Sequence, residues 1–177
     1  MIITDPSLLK IKCSEATLEE ASDIILKLEE ELDNSNRLGN PGIGLAAPQI
    51  GIYKNVAIVR VGPHKINLVN ARIEKQYDQF IFEGEGCLSF PGRSENVYRY
   101  NEIYVSNSVE PTRFTATGLL AVCIGHELDH TLGITLDELA IKDNKNIMSD
   151  KKPLAKLRPN DLCYCGSGKK LKKCHKS

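Results

Sequence analysis

Residues 126–130 read His-Glu-Leu-Asp-His, inside a stretch from Thr115 to Leu132 that is patterned as a helix and ended by Gly133 at a C′-like position. Side chains four residues apart share a helix face, so a fold built on this helix can bring the His126 and His130 imidazoles to one metal ion. Glu127 is rotated to the side, where it can hold a metal-bound water. The pattern also arises by accident, and two histidines whose polar atoms are satisfied elsewhere are the competing reading.

A catalytic metal needs a third protein ligand and an open position. The extended pattern HExxHxxGxxH fits as far as Gly133 and then fails, because Leu136 stands where a third histidine is required. No glutamate follows Glu138 to serve instead. The best candidate lies upstream, at Cys87 in Glu85-Gly86-Cys87-Leu88-Ser89, where a thiolate completes a Cys/His/His set. A buried structural thiol is the alternative for this residue. The ligand types suit zinc, iron, nickel or cobalt alike.

The remaining elements point to an α+β body. Thr17 to Arg37 reads as the first helix, with Thr17 and Glu20 as a capping box and Leu18, Ala21, Ile25, Leu28 and Leu32 at helical spacing. Gly39 to Gly51 is too rich in Gly and Pro for a helix. Val56 to Val61 and Lys65 to Val69 read as short strands, with two more near Tyr77 to Phe82 and Glu102 to Val109, antiparallel by expectation. Lys151 to Pro159 is basic, carries two prolines and reads as a linker.

A third segment gives the pattern a family likeness. Gly42-Ile43-Gly44-Leu45-Ala46-Ala47-Pro48-Gln49, Glu85 to Ser89 and His126 to His130 resemble, in order and spacing, the three signatures of the peptide deformylases. Asp5-Pro6, the strand after Gln49 and Asn70 extend the resemblance over roughly Met1 to Asp137. Departures are Gly125 where many members have Gln, Thr131 for a frequent Leu and Ala71 for a frequent Pro; none changes a ligand. The long C-terminal helix of many members is expected to be absent or short.

The resemblance implies a peptide-deformylase-like fold, with short antiparallel strands packed around the central HExxH helix. It implies hydrolysis of the formyl amide at the N-terminus of formyl-methionyl nascent polypeptides. Cys87, His126 and His130 are then the ligands of one divalent metal, ferrous iron natively and readily replaced by zinc or nickel. Glu127 is the proton carrier, and the Gln49 amide and the Leu88 backbone N–H are the oxyanion donors. Ile43, Gly44, Gly86, Leu88, Leu119, Val122, Cys123 and His126 surround the substrate. Gly42 and Gly44 are read as permitting close backbone approach to it. For any single pocket residue, ordinary core packing is the alternative. A supporting Glu85–Arg99 ion pair is expected, and Asp129 is read either as orienting a neighbour or as a surface acid.

The C-terminus has a different composition. Residues 1–150 carry 14 Lys and Arg against 22 Asp and Glu, a net of −8, whereas residues 151–177 carry nine against one, a net of +8. Three of the six cysteines fall in the last 15 residues. Cys163, Cys165, Cys174 and His175 form C-x-C-x8-C-H, four soft ligands with no open position, as in a structural zinc site. Arg158 to His175 closely resembles the SEC-C motif, a short zinc-binding module. The expected division is a catalytic domain over 1–150, a basic linker over 151–158 and a zinc knuckle over 159–177.

The basic tail suggests an anionic partner, with a solvated tail that aids solubility as the alternative; the ribosome, RNA or protein, is where the substrate emerges, and a separate protein partner is the competing account. The composition, 41% apolar and 26% charged, is that of a globular chain, and no apolar run approaches the ~18 residues of a membrane span. Met1 to Lys12 shows no secretory pattern, so a cytoplasmic monomer is expected. Two rivals remain at this point: an HExxH metallopeptidase, and a non-catalytic adaptor that works through the zinc tail.

Overall fold

A computed structural model describes residues 1–141. The end of the expected catalytic segment, the linker and the zinc knuckle with Cys163, Cys165, Cys174 and His175 lie outside the described residues. The chain order is α1 (Pro6–Leu9), α2 (Leu18–Arg37), β1 (Gly44–Ala46), a 3₁₀ turn (Ala47–Ile50), β2 (Val56–Val61), β3 (His64–Val69), β4 (Arg72–Gly86), β5 (Ser94–Ser106), β6 (Arg113–Thr117), α3 (Gly118–Leu132) and α4 (Leu136–Leu139). Two antiparallel three-stranded sheets result, β1-β2-β3 and β4-β5-β6.

Helix α2 starts where its sequence says. The Glu20 N–H donates to Thr17 Oγ1 at 3.2 Å, and the Thr17 N–H donates to Glu20 Oε2 at 2.8 Å, the reciprocal capping box. Of the expected stripe Ala21, Leu28 and Leu32 are buried, and Ile24 joins them. Leu18 is 60% exposed, and Ile25 is only half-buried at the stripe's edge.

The sheet β1-β2-β3 is covered on both faces. Val56, Ile58 and Val69 pack with α2, whereas Ala57, Val59, Ile66 and Leu68 join a second cluster with Ala121, Cys123, Ile124 and Leu128 of α3. Burial on both faces explains why Val56 to Val59 is a continuous apolar run. The second cluster also takes in Ile103, Val105 and Ala116, so α3 packs between the two sheets and touches β1, β2, β5 and β6.

Two expectations are corrected. The strands near Tyr77 to Phe82 and Glu102 to Val109 are parts of a ribbon, 15 residues in β4 against 13 in β5. Most of β4 is exposed, so polar residues fill it and the apolar alternation that marks a strand is weak. Thr115 to Thr117 belong to β6, paired with Glu102 to Tyr104, and the helix begins only at Gly118. Gly133 ends α3 as expected, with a left-handed φ of 77°. A Cβ there would lie 2.8 Å from the Lys10 carbonyl oxygen, so glycine is needed for space as well as for φ.

Candidate active site

The site forms where α3, the 3₁₀ turn and the end of β4 converge. Among the described residues, Cys87, His126 and His130 bring their ligand atoms within 4.8 Å of one another. The Cys87 Sγ and His130 Nε2 are 3.2 Å apart, and the two imidazole rings stand at 79° with centroids 4.9 Å apart. Donors held at about 2.0–2.3 Å on a tetrahedral ion stand roughly 3.3–3.8 Å from each other, so the Cys87–His130 pair is near that spacing and the cluster as a whole is somewhat wider.

Each ligand is set by its element. His126 and His130 stand one turn apart on α3. Cys87 follows β4 in a tight turn whose Phe90 N–H donates to the Cys87 carbonyl at 2.9 Å. The His126 Nδ1 lies 2.7 Å from Glu85 Oε1, which fixes the ring and turns Nε2 toward the cluster. Glu85 is in turn gripped by Arg99, Nε to Oε2 at 2.7 Å and Nη2 to Oε1 at 2.5 Å, and Arg99 Nη1 reaches Asp129 Oδ2 at 2.6 Å. The expected Glu85–Arg99 pair therefore exists, and Asp129 extends it as an orienting residue. Burial alone would raise the Glu85 pKa, but the Arg99 and His126 contacts outweigh it and hold the carboxyl at about 2.

Glu127 behaves differently. Its side chain is buried, Oε2 has no hydrogen-bond partner among the described residues, and burial, abetted by the Glu85 and Asp129 charges, pushes its pKa up to about 7. Burial, ahead of the charges of His126 and Arg99, drives His130 down to about 3. A Cβ on Gly44 would collide with the Glu127 carboxylate. The close approach that Gly44 permits is thus to Glu127, a role that its signature alone does not disclose.

A cavity of about 740 Å³ opens beside the cluster. Gln49, Cys87, Leu88, His126 and Glu127 line it, and so do Ile43, Gly44, Gly86, Leu119, Val122 and Cys123. His130 lies behind them, 1% exposed, and meets the site through Cys87. Leu119 and Ile43 are 48% and 44% exposed, whereas Val122 and Cys123 are buried at the cavity's base. Burial, aided by the Glu127 and Glu85 charges, raises the Cys123 thiol to about 12, so it meets the cavity as an apolar group.

Sequence reasoning missed two features. Ser89 is buried and accepts a hydrogen bond from Gln49 Nε2 at 3.2 Å; it stands inside the quoted second signature, with nothing to distinguish it from a packing serine. Arg93 lines the cavity mouth and stacks over the Phe90 ring at 5.6 Å, with no motif to mark it.

Comparison with known proteins agrees with this arrangement. The polypeptide deformylase family pattern matches residues 1–145, and the SEC-C motif matches residues 160–177. A peptide deformylase of Prochlorococcus marinus is 36% identical over 154 residues, 78% of this chain and 77% of the relative. Peptide deformylase 1 of Pseudomonas syringae pv. tomato is 40% identical over 99 residues, which span 52% of this chain and 59% of the relative. Among solved structures, the peptide deformylase of Synechococcus elongatus in complex with actinonin superposes with a TM-score of 0.71 at 30% identity, covering 81% of this chain and 79% of that one. That of Thermotoga maritima gives 0.70 at 25% identity, covering 80% and 97%. With its signatures converging on one cavity and the family pattern running through all the described residues, the chain belongs to the polypeptide deformylase family.

Proposed function

We propose that this chain hydrolyses the N-terminal formyl amide of formyl-methionyl nascent polypeptides, with Cys87, His126 and His130 as the ligands of one divalent metal. The donor set fits such an ion: one thiol and two imidazoles whose ligand atoms cluster, next to a buried carboxylate oxygen without a partner among the described residues. When bound, the ion supplies Lewis acidity, which brings a water's pKa toward neutrality.

The protein's own groups do the rest. Glu127, buried and with a pKa near 7, takes a proton from the attacking water and delivers one to the leaving amine. Attack at the formyl carbon places negative charge on the formyl oxygen. The Gln49 side-chain amide and the Leu88 backbone N–H donate to that oxygen, a type of contact worth about 10²–10³ in rate per donor. The apolar wall of Val122, Cys123 and Leu119 takes the methionine side chain, and Ile43, Gly44 and Gly86 flank the peptide.

The observation that carries this reading is the placement of the Glu127 carboxylate, whose Oε2 has no partner among the described residues, and the Gln49 amide in the wall of the same cavity as Cys87 and His126. The test is formate release from formyl-Met peptides by the metal-loaded protein. Activity that vanishes in Glu127→Ala is expected; internal peptide cleavage, or no hydrolysis by a fully loaded chain, would defeat the proposal. Ferrous iron is the proposed native metal, with zinc and nickel as substitutes, and activity of anaerobically prepared protein loaded with each ion checks the order.

The working division is a catalytic domain over 1–150, a linker over 151–158 and a zinc knuckle over 159–177 held by Cys163, Cys165, Cys174 and His175. The +8 charge of residues 151–177 directs the tail to the ribosome in the cytoplasm. Cosedimentation with ribosomes should weaken steeply with salt, and reversing the charges of Lys169, Lys170, Lys172 and Lys173 should abolish it; sedimentation indifferent to both would refute the docking.

A further inference from the structure

Gln49 is held at both ends of its amide. Its Oε1 accepts from the Ala46 backbone N–H at 2.8 Å, and its Nε2 donates to Ser89 Oγ at 3.2 Å while lying 3.5 Å from Cys87 Sγ. The Ala46 contact decides which end of the amide is oxygen, because a reversed amide would set one donor against another. It does not by itself fix where Nε2 points; Ser89 Oγ and, at longer range, Cys87 Sγ do that.

Ser89 itself does not touch the reaction. It is 1% exposed and is absent from the cavity lining, although Cys87, Leu88 and Phe90 around it are present. Among the described residues, its hydroxyl's one hydrogen-bond partner is Gln49. A buried hydroxyl costs free energy unless it is used, and here its use is to hold one of the two Nε2 hydrogens. With that hydrogen fixed, the second donates to Cys87 Sγ at 3.5 Å, on the side of the amide where the cavity and the ligand cluster lie.

We infer that Ser89 is a positioning residue for the deformylation step: it anchors the Gln49 amide so that its second N–H, which here donates to Cys87 Sγ, stands on the side where the oxyanion develops. The inference rests on the oxyanion role proposed for Gln49, and the two are tested separately.

The experiment is a double-mutant cycle on the metal-loaded full chain: wild type, Ser89→Ala, Gln49→Ala and the pair. Ser89→Ala should lower kcat about 10- to 100-fold, within the range of a misplaced or lost donor, with KM and metal content unchanged. In the Gln49→Ala background the same change should cost less than about twofold, because there is no amide left to anchor. Undiminished kcat in Ser89→Ala, or equal fold losses in both backgrounds, would overturn the role of Ser89. Undiminished kcat in Gln49→Ala would instead overturn the oxyanion reading beneath it. A readout independent of turnover comes from the metal-free chain. The Gln49 side-chain amide protons should exchange with solvent about tenfold faster in Ser89→Ala than in wild type, with backbone amides of α3 unchanged as the control for folding. Equal side-chain exchange in the two proteins would sink the anchor even if kcat fell.

Discussion

Helices α2 and α3 cover opposite faces of the β1-β2-β3 sheet. In α2 most local signals agree with the packing: a capping box at Thr17, acids in the first turn, Arg37 in the last, and a buried side made of Ala21, Ile24, Leu28, Leu32 and Ser35. In α3 the signals conflict. Thr117 makes no side-chain cap hydrogen bond, Gly125 sits mid-helix, and Glu127, His130 and Thr131 are buried with the apolar residues. Glu127 even lacks a partner for one oxygen among the described residues. Two helices on one sheet thus divide the labour. One obeys the rules that stabilise a helix, and the other breaks them where chemistry needs a buried acid and two imidazoles.

The comparison is broken most directly by Glu127→Gln. Loss of the proposed proton carrier should lower kcat by about 10²–10⁴, while the thermal midpoint of the metal-free protein stays level or rises, since a buried acid without a full set of partners among the described residues is removed. A lowered midpoint with kcat intact would show that α3 carries stability like its counterpart. Next in size is Leu28→Ala on the other helix. Leu28 is 0% exposed between α2 and the sheet, so its truncation should cost about 2–5 kcal/mol in denaturant unfolding. The kcat at a temperature where the variant is folded should stay within about twofold of wild type. A larger fall would tie α2 to the chemistry.

The same contrast explains what could be read in the chain. The capping box, the run Val56 to Val61 and the helix around His126 and His130 were legible, because each is a local pattern whose cause is local. The length of β4 was not, since an exposed ribbon needs no alternation and its partner β5 comes after a turn. Thr115 to Thr117 read as helix because nothing nearby reveals that Glu102 to Tyr104 will pair with them. Near the metal cluster, the signatures disclosed which residues converge but not what holds them. Gly44 yields space to Glu127, Ser89 meets Gln49, and Asp129 completes the Arg99–Glu85–His126 chain; these contacts join segments up to 83 residues apart.

Asp129 tests how far the support around α3 extends. Asp129→Ala leaves Arg99 Nη1 without its carboxylate and loosens the grip on Glu85, the partner of His126. Loss of a residue this far behind a ligand should weaken metal affinity by about tenfold, the low end of what such partners contribute. Chelator competition measures it, and unchanged affinity would confine the support to Glu85 and Arg99.

The smallest effect sharpens the comparison at the helix starts. Thr17→Ala removes an acceptor that satisfies the Glu20 N–H, and it should lower unfolding free energy by about 1 kcal/mol. Thr117→Ala touches the equivalent position of α3, where no side-chain cap hydrogen bond exists to lose, and should cost less than about 0.5 kcal/mol. Both are read from urea midpoints at constant m. Equal costs would mean that α3 draws on its cap residue after all. Helix α3 would then be held by the same local rules as α2, and the sheet packing on its far side would not be what lets it dispense with them.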